Sequence, residues 1–248
     1  MRNKRSLSGA AAALCIAAAL IPTIWLVILC AQNPEGAREI LWEEPFTLYR
    51  FWNSLLLCSA ITLGQMLVSC WAGFALAKYP IPGKGYLTTL LVILMLLPLQ
   101  VTLVPSYLIL DALGLLNTIW ALILPSVFSP FGTVVMWITF RAVPEDLLDA
   151  ARLDGASEHR ILWRIALPVG KGGAASLLLL TFVDAWNMVE QPMVFLSNTA
   201  NYPICVYLAS VRSGESLHGG LLSMLPVVLL LLYYRAALTE KSELTAGK

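Results

Sequence analysis

Three observations predict an all-α membrane protein with six transmembrane helices. Of the 248 residues, 58% are apolar and 12% charged, and the mean hydropathy is +0.76; a soluble domain carries about a quarter of its residues as charges. Six apolar windows approach the roughly 20 residues that a helix needs to cross a hydrocarbon core. Lysine and arginine also segregate to one side of those windows, as short cytoplasmic loops require.

The first window, roughly Gly9 to Ala31, follows Arg2, Lys4 and Arg5. Its apolar stretch exceeds the roughly 7 to 15 residues of a secretory signal, so it reads as a retained span. The second runs from about Asn53 to Ala77, the third from Leu87 to Leu110 and the fourth from Asn117 to Phe140. The fifth covers Ala174 to Leu196, and the shorter sixth Gly219 to Tyr234. Pro98 and Pro105 fall in the third window, Pro125 and Pro130 in the fourth, and Pro192 in the fifth. Each removes a backbone donor, which lipid tolerates only where protein or a water-lined cavity satisfies the freed carbonyl.

With the N-terminus cytoplasmic, that side collects 13 of the 16 basic residues, leaving Arg38, Arg50 and Arg212 outside. Both termini are therefore expected in the cytoplasm, and residues 1–248 form a single membrane domain. The outer loop after the first window is acidic, with Glu35, Glu39, Glu43 and Glu44. The net charge of +1 argues against nucleic acid as a partner. Five cysteines without CxxC spacing read as small apolar residues, and His159 and His218 lack partners at metal-ligand spacing. No metal is expected. Without HExxH, GxSxG, GxxxxGK[ST] or GxGxxG, no catalytic residue or nucleotide-binding motif is assigned.

Residues 141–173 form the one long hydrophilic segment between windows. Pro144 suits a first helical turn, and Glu145 and Asp146 lie at the positive end of its dipole. Leu147, Leu148, Ala151 and Leu153 give this helix an apolar side, and Gly155 can end it in the left-handed conformation. Ser157 can cap a second helix carrying Ile161, Leu162, Ile165 and Ala166, which Leu167-Pro168 is expected to stop. A hairpin with small residues at its turn suits docking into a partner's groove; a bilayer-surface connector is the alternative.

Asp149-Ala150-Ala151-Arg152-Leu153-Asp154-Gly155-Ala156, followed by Ile165-Ala166-Leu167-Pro168, resembles the EAA loop of permease subunits of binding-protein-dependent ABC importers. Asn53-Ser54, Ala75-Leu76-Ala77-Lys78-Tyr79, Gly114-Leu115-Leu116-Asn117-Thr118, and Trp186-Asn187 with Pro192 are similar to the carbohydrate-uptake branch, the class of the second maltose permease protein. The resemblance implies a type I ABC importer permease fold in a bacterial or archaeal cytoplasmic membrane. It also implies a second permease subunit, an ABC ATPase dimer, an extracytoplasmic solute-binding protein and a sugar as partners. ATP and Mg would then sit on the ATPase, and this chain would bind no cofactor. On the same grounds, Asp149, Ala150, Ala151, Asp154, Gly155, Ala156, Leu167 and Pro168 are the ATPase-coupling candidates. Two positions depart from the pattern: Asp149 stands where glutamate is usual, and Gly172 where a second proline is usual.

In the fifth window, Asp184 and Glu190 are the deep carboxylates, expensive in a membrane unless they face a cavity or a partner. On a continuous helix Asp184, Asn187 and Gln191 share a face, with Glu190 adjacent and Trp186 next to Asn187. These five residues are substrate-path candidates, since aromatic faces and acceptors grip sugars; bonding between helices is the alternative role. Gln65 and Ser69, with Gln100 and Thr102, are further candidates. The spans hold no deep Lys or Arg, which favours a neutral solute over a phosphorylated polyol. A proton-driven secondary transporter using Asp184 and Glu190 is the rival from another class.

Overall fold

The computed structural model describes residues 24–25, 27–32, 45–210 and 216–246, so most of the first window and the acidic outer loop lie outside the described residues. Helix α1 (Pro45–Lys78) is followed by α2 (Lys84–Met95), α3 (Leu99–Ala112), α4 (Trp120–Val127) and α5 (Pro130–Arg141). The hydrophilic segment folds as α6 (Glu145–Leu153), α7 (Glu158–Ile161), a π-turn (Leu162–Ala166) and a last helical turn (Leu167–Val169). Then come α8 (Lys171–Trp186), α9 (Glu190–Phe195), α10 (Ile204–Ser210) and α11 (Ser216–Ala246).

Among the described residues, two stretches are apolar and long enough to cross a membrane, Leu48–Lys78 and Trp120–Arg141. Two further pairs qualify only if each bent pair is one span: Lys84–Met95 with Leu99–Ala112, bent by 102°, and Glu158–Val169 with Lys171–Trp186, bent by 85°. The shorter apolar stretch His218–Tyr234 lies in α11. The third window is thus an angled pair and not one straight helix. Pro98 causes the break: it lacks the amide a continuing helix needs, and it sits in extended geometry (ψ 143°) before α3. Ser129 is extended for a related reason, because the residue before Pro130 is driven from the α region. Pro105 and Pro125 are carried inside α3 and α4.

Pro168 does not stop its helix as expected. The wider turn before it lets the Leu167 amide donate to the Leu162 carbonyl five residues back, which takes up the misfit of the ring. The helix then breaks at Gly170.

The long α1 is the central element. At Gly73 a β-carbon would stand 2.7 Å from the Trp137 amide nitrogen, so α1 and α5 touch backbone to backbone there. Around that crossing, Cys70, Phe74, Met136, Phe140, Leu148, Ile161, Leu162 and Ala166 form one core, uniting α1 and α5 with the hydrophilic hairpin. A second core nearer the start of α1 joins Leu57, Cys58 and Ile61 to Leu122, Phe182, Trp186, Phe195 and Ile204.

Candidate functional site

The hairpin closes as its sequence suggests. Gly155 takes φ 77°; its amide donates to Arg152 and that of Ala156 to Ala151, each at 3.0 Å, the paired bonds of a Schellman turn. A β-carbon on Gly155 would meet nothing within 4 Å, so the chain itself leaves the space over the turn open. Arg152 crosses the turn, donating to Asp149 at 2.8 Å and to Glu158 at 3.0 Å. That bond holds the Glu158 carboxyl below its ordinary pKa.

The coupling candidates divide between two faces. Asp149, Ala150, Asp154, Gly155 and Pro168 are exposed, whereas Ala151 is buried and Ala156 and Leu167 pack against the core. The apolar side expected of α6 is likewise split. Leu148 is fully buried and Leu147 half-exposed, but Leu153 is 89% exposed, an apolar knob beside the glycine turn.

Lys78, the last residue of α1, ties this hairpin down. Its ammonium donates to the Val143 carbonyl at 2.6 Å and to Glu145 at 3.0 Å, and its side chain is 2% exposed. Tyr79 stands beside Glu158, and its phenol pKa is raised by burial and then by that carboxylate.

Farther along α1 a cavity of 930 Å³ opens between α1, α2, α3, α4, α5, α8 and α9. Four of the five path candidates, Asp184, Asn187, Glu190 and Gln191, line it, together with Gln65, Thr102, Ser106, Ser126, Ser129 and Thr181. No lysine, arginine or histidine lines it among the described residues. The four do not share a helical face, because α8 ends at Trp186. Asn187 caps its end: the backbone amide makes the last helical bond to the Val183 carbonyl (3.1 Å), and the side-chain amide adds a second donor to the same oxygen (2.8 Å). The unwound residues Asn187 to Val189 turn the chain so that α9 presents Glu190 and Gln191 to the same space. Gln100 then bonds both Glu190 oxygens, at 3.2 and 3.1 Å.

Trp186 is the exception. It is 2% exposed, stacks on Phe182 and donates its indole N–H to the Ser223 carbonyl at 2.8 Å. It is a packing residue, turned away from the cavity by the helix face it shares with Phe182. Ser69 is also fully buried and outside the lining.

At the other end of α1, the Ser54 hydroxyl accepts the Ile204 amide at 2.8 Å. Asn117, at φ 62°, donates its amide to Phe195 and accepts the Ser197 amide on its side chain, which secures the end of α9.

Residues 65–237 match the family described as binding-protein-dependent transport system inner membrane component. The chain is 31% identical over 175 residues to protein LplC of Bacillus subtilis, covering 71% of this chain and 59% of that one. It is 28% identical to the arabinooligosaccharides transport system permease protein AraQ of Halalkalibacterium halodurans (76% and 70% covered). It is 31% identical to the sn-glycerol-3-phosphate transport system permease protein UgpE of Yersinia enterocolitica (71% and 62%). Among solved structures, a chain of a bacterial ABC transporter involved in import of the acidic polysaccharide alginate shares the fold, with a TM-score of 0.71, 20% identity, and 81% and 78% covered. The MetNI methionine ABC transporter follows at a TM-score of 0.59, 17% identity, and 80% and 98% covered.

Proposed function

Because the chain belongs to the family of binding-protein-dependent transport system inner membrane components, we propose that it is a sugar-translocating permease subunit of an ABC importer. It spans the membrane six times with both termini in the cytoplasm. It pairs with a second permease and an ABC ATPase dimer, and it receives solute from an extracytoplasmic binding protein. ATP and Mg belong to the ATPase; this chain hydrolyses nothing and binds no cofactor.

The observation that carries the reading is the placement of two features on one helix. At one end of α1 sits a hairpin tip whose Ala150, Asp154 and Gly155 are exposed; along its length lies a largely apolar cavity into which Gln65, Asp184, Asn187, Glu190 and Gln191 bring polar groups. Closure of the ATPase dimer moves the hairpin, and the spans switch between inward and outward access, a two-state bundle biased by partner contacts. Asp149, one methylene shorter than glutamate, keeps its carboxylate on Arg152. Asp184, Asn187, Glu190, Gln191 and Gln65 supply hydroxyl-binding groups on this chain's side of the path.

The solute is an uncharged oligosaccharide or polyol. Carboxylates and amides bind hydroxyl groups, whereas a phosphate or uronate needs cations, and none lines the cavity among the described residues of this chain. UgpE is named for glycerol-3-phosphate, but the wall of this cavity opposes that charge. The test is uptake into proteoliposomes holding the complete transporter and its binding protein. ATP-dependent uptake of neutral oligosaccharides, with little of glycerol-3-phosphate, supports the reading; uptake driven by a proton gradient without ATP contradicts it.

A further inference from the structure

Resting on that transport reading, we infer that Lys78 is the positioning residue that fixes the register between the coupling hairpin and α1, making α1 the lever that carries hairpin motion to the cavity. Apolar packing already joins hairpin and span through Leu148, Ile161, Phe74 and Phe140. Such packing is non-directional and tolerates sliding. A lysine whose side chain is 2% exposed, donating to a backbone carbonyl and to a half-exposed carboxylate, is directional, and its removal takes that donor from the Val143 carbonyl. Lys78 provides this at one point, on the Val143 carbonyl just before α6 and the Glu145 carboxylate in its first turn.

The position of Lys78 in the helix matters as much as its bonds. Gln65, on the cavity wall, lies thirteen residues earlier in the same helix, about 20 Å along the axis. No break interrupts α1 between them. At Gly73, between the two, α1 is in backbone contact with α5, whose first residues Pro130 and Phe131 also line the cavity. A displacement imposed at Lys78 is therefore delivered to two walls at once.

The complete complex, purified with its partner subunits and binding protein, tests this without a known solute. Cysteine placed at Ser106, a lining residue, reports access to a membrane-impermeant maleimide before and after trapping with ATP, Mg2+ and vanadate, with the parent complex as background. In the otherwise unchanged chain, trapping alters the labelling rate. Lys78→Met, counted only in assembled complex that still traps nucleotide, should lose that response about tenfold, while Lys78→Arg retains it. A wild-type response in Lys78→Met overturns the inference. If Lys78→Met fails to assemble, Glu145→Ala decides: a reduced response supports the role and an unchanged one overturns it. No response even in the unaltered chain contradicts the transport reading itself, and the lever with it.

Discussion

Gln100 and Glu190 meet across two broken helices: the Gln100 amide donates to both carboxylate oxygens of Glu190, at 3.2 and 3.1 Å. One residue opens α3 just after the Pro98 bend, and the other opens α9 just after the unwound Asn187–Val189 stretch. Broken helices are viable in a membrane where they line a cavity, and these two flank the same one.

The negative charge of Glu190 should therefore help set which solutes pass. Glu190→Gln keeps the shape and a partner for Gln100 but removes a charge from the path. Uptake of an anionic sugar relative to a neutral one should rise on the order of tenfold, the effect of relieving one like-charge repulsion at partial burial. Competition between the two labelled solutes measures this; an unchanged ratio places Glu190 outside the selectivity of the path.

At Gly155 the demands of the turn and of docking are separable. Gly155→Ala costs about 1 kcal/mol for a left-handed φ, and no clash adds to it within the chain. Gly155→Asn tolerates that φ better but projects a larger side chain into the open space over the turn. The account predicts that the asparagine variant uncouples transport from ATP hydrolysis at least as severely as the alanine variant, read as solute moved per ATP. Rescue by asparagine relative to alanine would assign the glycine to the turn alone.

Asp184→Asn distinguishes an ATP-driven path from a proton relay. The amide still binds hydroxyls, so ATP-driven uptake should fall no more than about tenfold, the worth of one hydrogen bond. Abolished uptake with intact assembly supports the proton relay.

Trp186 is packed in the core, so its loss is expected to affect stability and not recognition. Trp186→Phe leaves the Ser223 carbonyl without its donor, a loss of about 1 kcal/mol. Thermal stability in detergent should drop while the KM for uptake stays the same. A raised KM with unchanged stability would return the indole to the path.

The hairpin was legible in the sequence because its determinants are local: Pro144 before α6 and Gly155 for the left-handed turn; Ser157 stands in extended geometry before α7 but makes no side-chain capping bond. Pro98 likewise announced a break. The unwinding at Asn187 was not legible, since neither proline nor glycine marks it; the asparagine side chain shares the Val183 carbonyl with its own backbone amide there, and the indole of Trp186 is held by α11. That break dissolved the expected common face of Asp184, Asn187 and Gln191, yet it placed all three on the same cavity. The clamp role of Lys78 was also hidden: it depends on Val143 and Glu145, brought near only by the packing of α1 on α5. Leu153 counted as part of an apolar side because its spacing fits one; the turn that follows leaves it facing outward.

The most direct test of the account is to purify the tagged chain from its native membranes in mild detergent and identify its stoichiometric companions by mass spectrometry. The account predicts an ABC ATPase and a second permease bearing a similar hairpin. A lone chain or a homodimer, persisting after cross-linking in intact membranes, would contradict it.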